Sequence, residues 1–156
     1  PLVAASLLLA ACGERESVAG AGASGRAEAA PVTTRVAAVP RPRDFALESE
    51  GRRVYLDNCA GCHGENAGGA PGWRQAGPDG RNPAPPLNGT GHAWHHPTPI
   101  LERVIRHGSP GGKGNMPAWE GKLSDREIEA VIAWFKARWP DELYAAWYRR
   151  EQQMMN

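Results

Sequence analysis

Apolar residues return at helical spacing in four stretches of this chain, and nowhere do they alternate in the manner of a strand. Leu47, Gly51, Tyr55, Cys59 and Cys62 share one side of a helix over 47–60. Glycine inside a helix costs about 1 kcal/mol against alanine, so Gly51 points to a close packing contact. A second helix is predicted over 99–107, with Ile100, Leu101, Val104 and Ile105 as its stripe. Thr98 is its expected N-cap, Pro99 suits the first helical position, and Gly108 suits the stop. The third, 125–138, is the best specified. Ser124 and Glu127 form a capping box, Leu123 and Ile128 a hydrophobic staple, and Ile128, Val131, Ile132 and Phe135 the apolar face, with Pro140 ending the helix. Leu143, Trp147 and a run of good helix formers predict a fourth helix over 141–153. Between the first two lies 64–97, rich in Gly, Pro and Asn, a loop long enough to imply a function. The pattern is that of an all-α domain spanning 44–139, followed by a helical extension over 140–156.

Upstream of Asp44 the pattern changes. Residues 1–11, PLVAASLLLAA, are uncharged and apolar, too short for a bilayer span and similar to the back part of a secretory signal. With no initiating Met and no basic start, the sequence is expected to begin inside that signal. Leu9-Ala10-Ala11-Cys12 resembles a bacterial lipobox, which implies cleavage before Cys12 and lipid on that residue; otherwise Cys12 is incidental to an ordinary signal. Two or more acyl chains make an anchor stable where one is marginal. Residues 12–43 then read as the lipid anchor site and a disordered tether of Ala, Gly, Pro and Arg. A flexible chain of roughly 30 residues reaches roughly 30 Å. The reading is an exported protein on the periplasmic side of a bacterial membrane. Net charge is only +1, from 18 basic and 17 acidic residues without clustering, so no nucleic-acid partner is expected.

The chemistry lies in Cys59-Ala60-Gly61-Cys62-His63. C-x-x-C-H is the attachment signature of haem c. Two thiols one helical turn apart can meet the two vinyl groups, and the following His63 supplies an axial ligand. A structural zinc site needs about four ligands, and no second Cys pair exists. A dithiol redox pair needs a βαβ setting and no following His. A small domain with a limited core would gain a large apolar filling from one covalent haem.

With these residues in view, 47–139 resembles a class I cytochrome c. Gly51, Tyr55 and Cys59 match the family's first-helix spacing, and Trp134 matches the aromatic on the last helix that crosses it. The resemblance implies the cytochrome c fold, helices packed around one covalently attached haem with the long loop after CxxCH wrapping it. It also implies that Pro85 of Pro85-Pro86-Leu87 accepts a hydrogen bond from His63 Nδ1, and that Met116 of Gly114-Asn115-Met116-Pro117 is the sixth iron ligand; His107, Met154 and Met155 are the alternatives. Pro85 otherwise only stiffens its loop. The 64–97 loop is longer than in minimal members, and Trp73, Arg74, Arg81 and Trp94 are candidates for contacts to the haem propionates, or else packing and surface.

The function these features imply is that of a monohaem electron carrier, not an enzyme, working between exported or membrane redox proteins. A haem enzyme or gas sensor would need a labile sixth ligand, against which Met116 argues. A metal-handling role would use His92, His95 and His96, which otherwise read as a polar loop edge.

Overall fold

A computed structural model of the chain describes residues 39–155. The signal-like segment, Cys12 and the tether up to residue 38 lie outside the described residues. Among the described residues the fold has five α-helices: α1 Phe45–Asn58, α2 Ala60–His63, α3 Thr98–His107, α4 Asp125–Lys136 and α5 Asp141–Met155. Two short 3-10 turns, Ala93–His95 and Pro110–Gly112, sit in the loops. Among the described residues there is no strand, only isolated bridges pairing Asn82 with Gly114 and Glu120 with Leu123. None of these helices is long and apolar enough to cross a membrane.

The crossing of α1 on α4 organises the domain. A Cβ placed on Gly51 would lie 1.9 Å from the Ala130 carbonyl oxygen and 2.9 Å from Trp134 Cβ, so only glycine allows the two backbones this close. One turn on, the Tyr55 and Trp134 rings pack with centroids 4.2 Å apart. Val54, Tyr55, Ile128, Val131, Ile132, Trp134 and Phe135 join Leu101, Ile105, Leu123 and Ala93 in one buried cluster. The helix α4 starts with the capping box: Ser124 Oγ accepts from the Glu127 N–H, and the Glu127 carboxylate accepts from the Ser124 N–H.

Helix α4 ends at Lys136 and α5 runs on to Met155, each two residues from the expected end, and the boundaries of the first two helices differ as well. The first helix starts at Phe45, because the Asp44 carboxylate caps the Leu47 N–H at 2.9 Å. It breaks at Cys59, whose φ of −117° leaves helical geometry, and resumes as the single turn α2. On α3 the cap position belongs to Pro97, with Thr98 the first helical residue. The Thr98 N–H is instead satisfied by Glu151 Oε2 of α5, 2.7 Å away.

The C-terminal helix belongs to the core. Trp147 is 5% exposed and packs edge-on against Trp139, itself 2% exposed. The Lys136 ammonium sits 3.4 Å from the centre of the Trp147 ring. Arg41, placed by its sequence in the tether, is fixed as well. Its guanidinium donates to the Lys136 and Trp139 carbonyls at 2.6 and 2.9 Å and lies over the Tyr144 ring. The packed domain therefore takes in residues ahead of Asp44, because a guanidinium fork bridges two carbonyls at and just past the end of α4.

Candidate functional site

The short helix α2 fixes three side chains at once. The His63 N–H and the Cys62 N–H both bond the Cys59 carbonyl, at 2.9 and 3.1 Å. Cys59 is partly buried against the core cluster, whereas Cys62 is exposed. Burial, reinforced by the neighbouring Cys62, pushes the Cys59 thiol up to about 11. His63 is 7% exposed, and burial lowers its imidazole pKa although the Pro85 carbonyl opposes this.

His63 Nδ1 lies 2.8 Å from the Pro85 carbonyl oxygen. A carbonyl only accepts, so Nδ1 carries the proton and donates, which leaves the Nε2 lone pair for a metal. The acceptor is itself held firmly. The Leu87 and Asn88 N–H groups bond the Ala67 carbonyl at 2.8 and 3.2 Å, and Ala84 accepts from Ala70 at 2.8 Å. The Trp139 indole N–H donates to the Leu87 carbonyl at 2.8 Å. The sequence signals Trp139 only through its place four residues beyond Phe135, where it continues the α4 stripe.

Met116 sits in the loop between α3 and α4, partly buried against the core cluster. Ser109 brackets it: the Met116 N–H donates to Ser109 Oγ at 3.0 Å, and the Ser109 N–H donates to the Met116 carbonyl at 3.1 Å. Further on, the Trp119 N–H is shared between the Ile105 and Arg106 carbonyls at the end of α3. From the other side the long loop docks, with the Asn82 N–H on the Lys113 carbonyl at 2.8 Å and Arg81 on Asn115 at 2.8 Å. The rival axial candidates are placed differently. Met154 and Met155 are exposed, and His107 faces Glu120 on the surface.

The remaining candidates separate. Trp73 and Arg74 stack on each other and line an open cleft of about 420 Å³ with Asn82, Pro83, Pro85 and His92. Arg81 is engaged with Asn115. The Trp94 indole N–H donates to the Gly91 carbonyl at 3.1 Å, which takes up the donor that a propionate contact would need. Its ring stacks on His95 at 3.7 Å. His92 and His96 meet edge to face. Among the described residues no three His, Cys, Asp or Glu side chains form a group able to hold a metal ion, so the histidine run does not assemble one.

Two thiols on one helical turn, an imidazole with its far nitrogen free and an apolar cluster beside them fit haem c. Fold and site together define a c-type cytochrome domain. Residues 46–135 match the family described as cytochrome C oxidase, cbb3-type, subunit III. The chain is 34% identical over 96 residues to the cbb3-type cytochrome c oxidase subunit CcoP of Azospirillum brasilense, covering 60% of this chain and 29% of that protein. It is 32% identical over 90 residues to the subunit FixPc of Rhizobium leguminosarum bv. viciae, covering 58% and 27%. Cytochrome c6 of Bryopsis maxima is 33% identical over 84 residues, 54% of this chain and 83% of the relative. The chain thus belongs to the family of cbb3-type subunit III cytochrome c domains, and it binds one covalent haem c. It spans under a third of the length of the oxidase subunits that it matches.

Proposed function

We propose that the chain is a monohaem electron carrier with His63 and Met116 as axial ligands, passing single electrons between membrane or exported redox proteins. The observation that carries this reading is the packing of Met116. It is the one methionine partly buried against the core, while the other two are exposed at the end of α5. A thioether on a tethered loop favours a closed, six-coordinate iron over an open catalytic one. Haem supplies the ferric–ferrous couple. The chain's own part is to hold the attachment thiols, to orient the imidazole through Pro85 and to keep water from the site. Trp73 and Arg74, beside Pro85, are the side chains that suit the propionates, as indole and guanidinium groups are donors only.

The names of the relatives favour one partner, a cbb3-type oxidase complex. Export and anchoring through lipid on Cys12 complete the reading, with the segment between Cys12 and the packed domain as the tether. Mass spectrometry of the mature protein tests the anchor, and an unmodified Cys12 peptide rejects it. The axial assignment is tested by Met116→Ala. That variant should lose the red charge-transfer band of thioether-ligated ferric iron, fall in potential and bind CO. A wild-type protein without that band that binds CO readily would be an enzyme or sensor instead.

A further inference from the structure

The loop carrying Met116 is built around one hydroxyl. Ser109 follows Gly108, the residue that ends α3 with φ +79°. A Cβ on Gly108 would lie 2.6 Å from the Met116 carbonyl oxygen, so the returning loop runs directly over the end of the helix. Ser109 then takes both backbone groups of Met116: its Oγ accepts from the Met116 N–H, and its own N–H donates to the Met116 carbonyl. Its carbonyl accepts from the Gly112 N–H at 3.3 Å, closing the turn between them. Gly114 lies against the same hydroxyl, since a Cβ there would be 2.6 Å from Ser109 Oγ. The intervening segment, Pro110–Gly112, includes two glycines with positive φ and is exposed, so it adds little rigidity of its own.

We propose that Ser109 is the positioning residue for the axial thioether: its hydroxyl, by fixing the Met116 backbone, sets how firmly Met116 holds the sixth position. The inference rests on Met116 being the axial ligand. Met116 itself is anchored by two hydrogen bonds to one residue, and only one of them depends on a side chain. Removing the hydroxyl leaves the other bond, the helix end and the haem attachment untouched, so the loop should loosen without the domain unfolding.

The test uses the haem-loaded protein and reads ligand exchange at ferric iron, with cyanide as the probe. One hydrogen bond of ordinary strength corresponds to about a five- to tenfold change in an equilibrium. Ser109→Ala should therefore tighten apparent cyanide binding about five- to tenfold and weaken the thioether charge-transfer band. Ser109→Thr, which keeps a hydroxyl, should restore both. Gly114→Ala should reproduce the loosening with the hydroxyl still present, because its new methyl displaces Ser109 Oγ. Ser124→Ala, which removes the cap of α4, should lower stability without changing cyanide binding and so separates positioning from general destabilisation. In the unaltered protein the Met116 amide should exchange slowly with solvent, a measurement that needs no variant. A wild-type band with unchanged cyanide affinity in Ser109→Ala would overturn the role of Ser109 alone. Absence of the band in the wild type, with no effect of Met116→Ala, would overturn the axial reading and this proposal with it.

Discussion

Gly51 of α1 meets the Ala130 backbone of α4 so closely that the first carbon of any side chain there would be 1.9 Å from the Ala130 carbonyl oxygen. That oxygen is backbone and cannot swing aside. The contact sets the distance between the helix leading into the attachment turn and the helix that carries Trp134. It thereby couples the core to the site, since Tyr55, one turn after Gly51, packs on Trp134 and donates its hydroxyl to the Gly64 carbonyl just past His63. Gly51→Ala should gain about 1 kcal/mol of helix propensity yet lose more through overpacking, for a net destabilisation of about 2 kcal/mol. Denaturant unfolding of the haem-loaded protein would measure it. A variant as stable as the wild type would mean that the helices separate at little cost.

Attachment gives a sharper outcome. Cys59→Ser combined with Cys62→Ser removes both thioether-forming sulfurs, and no haem should survive acidic-acetone extraction with the polypeptide. The apo chain should be largely unfolded by circular dichroism, because a core of this size loses its largest filler. Haem that stays with the polypeptide in the double variant would contradict covalent attachment at this turn.

What the sequence displays and what it hides divide along contact range. The capping box of Ser124 and Glu127 lies within one turn, and Cys59, Cys62 and His63 within two, so both can be read from residue spacing. Gly51 could be read as a packing glycine, and Trp134 through the family resemblance. Thr98 could not be read correctly. Its N–H is satisfied by Glu151, which lies far along the chain, and local cap preferences carry no trace of such a partner. The same holds for Arg41, whose carbonyl partners lie at the end of α4. Ser109 was invisible for a related reason: Gly-Ser-Pro reads as a turn, and nothing in it says that Met116 will fold back over it.

The Arg41 clamp separates useful from decorative interactions. Its bonds to the Lys136 and Trp139 carbonyls are charge-assisted and partly buried, whereas its partner Asp141 is almost fully exposed. Arg41→Ala should destabilise by about 2 kcal/mol through the lost carbonyl bonds. Arg41→Lys should recover little, since an ammonium lacks the fork that spans two acceptors. Asp141→Asn should cost less than about 0.5 kcal/mol, as expected for an exposed ion pair. Chemical denaturation of the three variants orders them. Equal losses in Arg41→Ala and Asp141→Asn would show that the ion pair, not the helix end, is what Arg41 serves.

Lys136 predicts a pH dependence with a definite sign. Burial beneath Trp147 lowers its ammonium pKa to about 8; Glu151 opposes the shift and Arg41 adds to it. In the unfolded chain the amine titrates near its ordinary 10.5. Between these values the unfolded state binds more protons than the folded one, so this residue's contribution to stability rises with pH there. Below pH 8 both states carry the charge, and the full burial penalty is present. Tyr55 acts in the opposite direction at the alkaline end, because burial raises its phenol and the unfolded chain deprotonates first above about pH 10. The clean window is therefore pH 8 to 10. Lys136→Met keeps the length of the side chain and removes the titration. The stability of the wild type minus that of Lys136→Met should increase steadily across this window, at constant ionic strength and with haem attached. A flat difference would mean that the amine stays hydrated over the Trp147 ring, and a falling one that Glu151 outweighs burial.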